Sequence, residues 1–161
     1  PGQTRIAMLL KVMIEEGMNF DEIVEKATAF ISTMKTLFVL EDLSNLVKNG
    51  RISKAAGIVG SMLSLRPIMG EDGHGNIVCL EKARGTHKAL ARLVEIIGEY
   101  TKDKAHHSLV MVLSYCNCVD RAMALKKDIL DNCAAFKEVV VVPTSGISTV
   151  YANNGGIVIA F

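Results

Sequence analysis

The sequence predicts an α/β domain in which a mixed sheet is flanked by helices and is preceded by two further helices. Residues 108–115 and 139–142 are runs of strong β propensity on either side of a helical stretch at 120–131, and a strand–helix–strand order favours a parallel pair. Residues 71–75 form a glycine-rich connection between two extended runs, which is typical of an antiparallel hairpin. The sheet should therefore contain both kinds of pairing.

Composition limits the class of protein. The chain has 161 residues, half of them apolar, but no apolar run reaches the ~20 residues of a membrane span. A net charge of +1, without a basic block or any tryptophan, gives no electrostatic footprint for nucleic acid. We expect a cytoplasmic protein, because the start of the chain lacks the pattern of a signal peptide. The four cysteines should be reduced thiols without a metal, since Cys116-Asn117-Cys118 lacks a second ligand pair.

Two amphipathic helices open the chain. Residues 4–17 carry an apolar stripe, and Gly17 is placed to end this helix. Asn19 followed by Glu22 has the form of a capping box, which predicts the start of the second helix. A short β run at 36–40 and a short helix at 42–48 come next.

The stretch at 48–67 organises the remainder of the chain. The turn dipeptide at 49–50 is followed by Ser53, which is predicted to cap a helix that ends before Pro67. Arg51 should then lie just ahead of a helix N-terminus, where a guanidinium and free N–H groups can bind a carboxylate or phosphate. The alternative is that Arg51 pairs with a surface carboxylate.

A second arginine stands in a similar place. Arg84 precedes Thr86, which is predicted to cap a long helix ending at Tyr100. Two cations at helix starts could hold an anionic head group or contact an acidic partner, or they could be unrelated surface arginines. A turn at 153–156 and an apolar strand at 157–161 close the chain. No set of residues forms a nucleophile–base arrangement, so we expect no catalytic residues.

Three segments keep a recognisable order and spacing: LVKNGRIS at 46–53, LRPI at 65–68 with Asp72-Gly73, and KARGTHKA at 82–89. In these segments, and over its whole length, the chain resembles the DegV family of bacterial fatty-acid-binding proteins. The resemblance implies a two-domain α/β protein that holds a fatty acid in a tunnel between its domains. It also implies that a separate fatty acid kinase phosphorylates the carboxylate that this protein presents.

The resemblance assigns roles to particular residues. It places Arg51 near the carboxylate and Arg84 on the surface that faces the kinase. On the predicted helix that begins at Ser53, we further expect Ser53 among the ligand-binding residues and Ile58 and Met62 in an apolar wall. The family's front domain is missing from this chain. Residues 1–35 would be a helical segment that packs against that missing domain, and residues 36–161 would be the C-terminal DegV-like domain.

The sequence departs from the family pattern near its end. The family has His-x-Gly-Pro-Gly, whose histidine contacts the carboxylate, where this chain reads Tyr151-Ala152-Asn153-Asn154-Gly155. A tyrosine hydroxyl can donate one hydrogen bond but adds no charge. The alternative is that Tyr151 is an ordinary strand aromatic with its hydroxyl in water.

The function expected from these observations is that of a lipid carrier subunit for phospholipid metabolism. Such a subunit would bind a long-chain fatty acid as its ligand, deliver the carboxylate to a kinase, and need no cofactor. The alternative is a binding or sensor protein for a small phosphorylated or carboxylated metabolite. A purely structural domain is the third interpretation.

Overall fold

The computed structural model describes residues 1–52 and 65–161, which form helices and strands around one sheet. Along the chain the elements are α1 (Gly2–Glu15), α2 (Phe20–Thr33), β1 (Thr36–Val39), α3 (Ser44–Lys48), β2 (Leu65–Glu71), β3 (Ile77–Arg84), α4 (Thr86–Thr101), β4 (Leu109–Tyr115), α5 (Val119–Asn132), β5 (Phe136–Pro143), α6 (Ile147–Ala152) and β6 (Ile157–Ala160).

The strands of the described residues form a mixed sheet in the order β3-β2-β1-β6-β4-β5. β4 and β5 are parallel, and every other neighbouring pair is antiparallel. It follows that β1, β3, β4 and β5 all end at one edge of the sheet, which we call the upper edge. The connections that leave this edge include α3, which follows β1, and α6, which follows β5.

One face of the sheet is covered by α4 and α5. Leu93 and Ile97 of α4 and Ile129 of α5 are fully buried against Ile68, Leu113 and other strand side chains of the main hydrophobic core. The periodicity of both helices places an apolar stripe on this face. This side of the sheet is closed.

The opposite face carries a smaller core beneath α3 and α6. Phe38, Leu46 and Ala152 are buried in it, and Tyr151 and Val158 are packed against it. α1 also contacts the sheet, and the Arg5 guanidinium donates a hydrogen bond from Nε to the Val110 carbonyl at 2.9 Å.

α2 packs on α1 rather than on the sheet, and leaves much of its apolar surface in solvent. The side chain of Phe20 is 78% exposed, and those of Val24 and Ile31 are about half exposed, at 47% and 49%. The division into a helical segment at 1–35 and a C-terminal domain at 36–161 stays a prediction.

Most predicted elements are confirmed. Asn19 and Glu22 form the capping box of α2, Gly17 follows the end of α1 with φ of 74°, and the hairpin and the parallel pair are both present. In the stretch at 48–67, the predicted helix that begins at Ser53 lies outside the described residues.

Two predictions are wrong. Thr86 does not cap α4: Gly85 is the N-cap residue, and the Thr86 hydroxyl instead donates to the Glu41 carboxylate at 2.9 Å. The interpretation of Tyr151 as a strand aromatic also fails, because Tyr151 lies in α6. The β-branched residues near it suggested a strand, but a six-residue helix is too short to show clear periodicity.

The tight turn between α6 and β6 requires glycine at residue 156. A Cβ there would stand 2.2 Å from the Ala152 carbonyl oxygen, which is backbone and cannot move aside. We predict that Gly156→Ala lowers the free energy of unfolding by about 2–3 kcal/mol in urea denaturation, because of this overlap. Gly98→Ala in α4 is the control, since its Cβ would meet only Cys133 Sγ at 4.0 Å and alanine favours helix by about 0.5–1 kcal/mol. Equal effects of the two substitutions would contradict this assignment.

Candidate functional site

An open groove of about 840 Å³ lies on the sheet face opposite α4 and α5. This volume is within the range of roughly 300–1,000 Å³ that is usual for small-molecule sites. Its floor is made by side chains that alternate along the central and edge strands, since every second residue of a strand faces the same side. The floor residues are Thr36, Phe38, Ser114, Val142 and Val158.

Helices and the hairpin form the walls of the groove. At the lower end lie the first residues of α1, Ile31 of α2 with Met34 at its C-terminal end, and the tip of the β2–β3 hairpin. Glu71 belongs to this end, and its carboxylate accepts a hydrogen bond from Lys35 Nζ at 3.1 Å. At the upper edge, Leu40, Leu46 and α6 close the groove.

Arg51 lines the groove, and its predicted role in binding a ligand stays a prediction. Its backbone N–H donates a hydrogen bond to the Leu46 carbonyl at 2.8 Å. This bond to α3 holds the backbone of Arg51 in place. Its side chain is exposed, and none of the described carboxylates forms an ion pair with the guanidinium. Arg51 therefore has a full positive charge available to an anion in the groove.

Tyr151 lines the same groove from α6 and is half-buried. The structure thus brings Arg51 and Tyr151, which are 100 positions apart, to one cavity. Three other predicted ligand-binding residues, Ser53, Ile58 and Met62, lie outside the described residues.

A row of hydroxyl groups near Tyr151 was not predicted from the sequence. It comes from the ends of β4 and β5 and from the connection into α6, where strands that run in parallel place their carboxyl ends together. The signal in the sequence was the polar run that directly follows the β-branched strand at 139–142. The residues that carry this group of hydroxyls are Ser114, Thr144, Ser145 and Ser148.

Arg84 does not line the groove. It is the last residue of β3, and its side chain is exposed at the upper edge. The structure therefore separates the two arginines that the sequence treated alike. Arg51 faces the cavity, whereas Arg84 faces solvent.

Glu41 is the centre of a charged network that the sequence analysis missed. Its carboxylate accepts hydrogen bonds from Arg66 Nε at 2.7 Å, Arg121 Nη1 at 2.8 Å and the Thr86 hydroxyl at 2.9 Å. Arg121 also donates to the Gly155 carbonyl. Glu41 follows β1, so these bonds join the upper ends of β1 and β2 to the starts of α4 and α5.

The pKa of Glu41 reflects two opposing effects. Burial raises the pKa of this carboxyl, but the hydrogen bonds from Thr86, Arg66 and Arg121 outweigh burial and hold its pKa below the ordinary value of 4.5. Glu41 is thus ionised at neutral pH and is bound to two cations.

Within residues 1–52 and 65–161, no group of three or more His, Cys, Asp or Glu side chains is arranged to hold a metal ion. The four thiols, of Cys79, Cys116, Cys118 and Cys133, are unpaired. None of the helices formed by these residues has the length and apolar character that crossing a bilayer needs.

The fold and the groove define an α/β domain with one closed and one partly open sheet face. The chain belongs to the DegV family, described as "Uncharacterised protein, DegV family", which matches residues 2–161. A DegV domain-containing protein of Streptococcus gordonii is 33% identical over 153 residues, which are 94% of this chain and 52% of that protein.

Solved structures share the fold closely. A DegV family protein from Ruminococcus gnavus, refined with vaccenic acid, is 37% identical with a TM-score of 0.90, over 99% of this chain and 56% of that one. The fatty acid kinase (Fak) B3 protein of Streptococcus pneumoniae, loaded with linoleic acid, is 30% identical with a TM-score of 0.85, over 97% and 54%. This chain spans about half the length of these relatives.

The Glu41 network predicts how stability depends on pH. Because the folded-state pKa of Glu41 is depressed, its contribution to the free energy of unfolding is present above pH 4.5 and is lost as pH falls through the folded pKa. Glu41→Gln should therefore cost about 2 kcal/mol at pH 7, where hydrogen bonds to a charge are lost, and much less at low pH.

Urea denaturation from pH 7 down to pH 3 measures this effect. Glu138→Gln is the matched control, since Glu138 is exposed and forms no ion pair with the described residues. The same loss for Glu41→Gln at every pH would exclude the charged network as its cause.

Proposed function

We propose that the protein to which this chain belongs binds a long-chain fatty acid, with its acyl chain along the groove and its carboxylate at Arg51 and Tyr151. The observation that supports this most strongly is the arginine without a described carboxylate partner at one end of a largely apolar groove. Relatives of the same fold, at 30% identity or more, hold vaccenic or linoleic acid. The protein acts as a carrier and performs no chemistry itself.

The chemistry of the groove agrees with such a ligand. Each methylene removed from water contributes about 0.8 kcal/mol, and Phe38, Val142 and Val158 offer an apolar floor for this. A carboxylate taken from water must be paired and hydrogen-bonded. Arg51 supplies the charge, and Tyr151 with the neighbouring hydroxyls supplies donors.

The groove is open, so burying a whole acyl chain needs a second wall. We propose that a preceding half of the protein, comparable to the part of the relatives that this chain does not cover, closes the groove into a tunnel. The exposed apolar side chains of α2, among them Phe20 and Val24, fit a segment that packs against that half.

The partner in this proposal is a fatty acid kinase, as the name of the pneumococcal relative suggests. The kinase would phosphorylate the carboxylate that the carrier presents. Arg84 is the proposed contact, because it is exposed at the upper edge and outside the groove. This position suits a contact with a partner and not with the ligand.

A small anionic metabolite is the alternative ligand. Arg51 and the hydroxyls could bind such an anion. A small polar molecule, however, would make no apolar contacts with the groove floor. The two ligand classes differ in their response to a charge on the floor, which gives the first test.

We predict that Val142→Lys abolishes fatty acid retention by the full-length protein, because it puts an ammonium group into the apolar floor. Val142 lies on the edge strand β5 and is only half-buried, so the fold should tolerate the change. Val140→Lys is the matched control, being two residues earlier on the same strand, also half-buried, and absent from the groove. Ligand retention is measured by mass spectrometry beside a thermal melt. A folded Val142→Lys protein that retains fatty acid would exclude this floor from the site.

We further predict that Arg84→Ala reduces acyl-phosphate formation at least about tenfold while fatty acid affinity changes less than about twofold. The substitution removes a charged contact that contributes about 1.5–3 kcal/mol to the complex with the kinase and contributes nothing to binding of the fatty acid. Lys88→Ala, also exposed and near the start of α4, is the control for a general loss of positive charge. Equal losses in affinity and in acyl-phosphate formation would assign Arg84 to the ligand.

A further inference from the structure

Two asparagines join the short helices α3 and α6. Asn45 Nδ2 donates to the Val150 carbonyl at 2.7 Å and to Asn153 Oδ1 at 3.2 Å. Asn153 Nδ2 in turn donates to the Asp42 carbonyl at 3.3 Å. These three bonds connect the beginning of α3 with the end of α6, more than 100 residues later in the chain.

The backbone of Asn153 adopts an unfavourable conformation at this connection. Its φ of 55° and ψ of 172° lie in a region that residues with a Cβ rarely adopt. Asn153 also ends α6, directly before the turn whose Gly155 carbonyl accepts from Arg121. The side-chain bonds with Asn45 and Asp42 hold the residue in this conformation.

α3 also holds the backbone of the segment that carries Arg51. The N–H groups of both Arg51 and Ile52 donate to the Leu46 carbonyl, at 2.8 Å and 3.3 Å. One five-residue helix is therefore bonded on one side to the segment that carries Arg51 and on the other to the helix that carries Tyr151. The Val150 carbonyl that Asn45 binds belongs to the peptide directly before Tyr151.

Asn45 itself does not line the groove. We propose that Asn45 is a positioning residue, which holds α6 against α3 so that the Tyr151 hydroxyl and the Arg51 guanidinium meet at one carboxylate. The inference rests on the proposed function, because it concerns the head group of the fatty acid. It adds that head-group recognition depends on a side chain outside the groove.

Two ligands separate positioning from general stability. Oleate has the carboxylate, whereas oleyl alcohol has the same chain with a neutral head. If Asn45 acts through Tyr151 and Arg51, its loss weakens oleate binding and leaves the binding of the alcohol nearly unchanged. If Asn45 only stabilises the fold, both ligands lose affinity alike.

The experiment measures the affinities of the full-length protein for oleate and oleyl alcohol in the parent, Asn45→Ala, Tyr151→Phe and the double variant. Asn45→Asp is a second variant of the same shape that cannot donate to the Val150 carbonyl. Asn132→Ala is the matched control, because Asn132 also donates from Nδ2 to a backbone carbonyl, that of Asp128 at 2.8 Å, but lies on α5.

The proposal predicts that Asn45→Ala and Asn45→Asp weaken oleate binding about five- to tenfold, with less than a twofold change for oleyl alcohol and for Asn132→Ala. In the Tyr151→Phe background the further loss should fall below about twofold, since residues that act together are not additive. Equal losses for the two ligands, or the same loss in both backgrounds, would overturn the positioning role alone. Failure of the parent to bind oleate would overturn the proposed function and this inference together.

Discussion

The carboxylate of Glu41 is the interaction on which the upper edge of this domain depends. Where β1 ends, it binds Arg66 of β2, Thr86 of α4 and Arg121 of α5, and Arg121 extends the network to the Gly155 turn. A half-buried acid without these donors would destabilise the fold, whereas Glu41 with its three donors joins the closed and open sides of the sheet. The position of α6, and of Tyr151 on it, follows from where this turn is held.

The second constraint is the difference between the two sheet faces. α4 and α5 fill one face completely, with side chains such as Leu93 and Ile129 removed from water. Among the described elements, the short helices α3 and α6 and one side of α1 lie on the other face, and the space between them is the groove. Because the strands alternate, the residues that build the core and the residues that line the groove are neighbours in sequence, as Leu37 and Phe38 show.

Much of the fold could be predicted because its signals are local. The capping box at Asn19, the glycine-rich hairpin and the β-branched strands each depend on a few adjacent residues. In the candidate site, Arg51 carried a local signal, a charge just ahead of a predicted helix, and Tyr151 was indicated by the family resemblance; that these groove residues bind a ligand stays a prediction. Glu41 and Asn45 were missed because each acts through partners 25 or more residues away, and nothing in the local sequence marks such a pairing. Thr86 was misassigned for the same reason, since a distant carboxylate engages its hydroxyl.

Mass spectrometry of the ligand retained by the full-length protein, purified without added lipid, tests the central claim most directly. The account predicts a long-chain fatty acid at close to one molecule per protein, which is lost when Val142 on the groove floor is replaced by lysine. A phosphorylated or carboxylated small metabolite in its place, or retention of no ligand at all, would contradict the account.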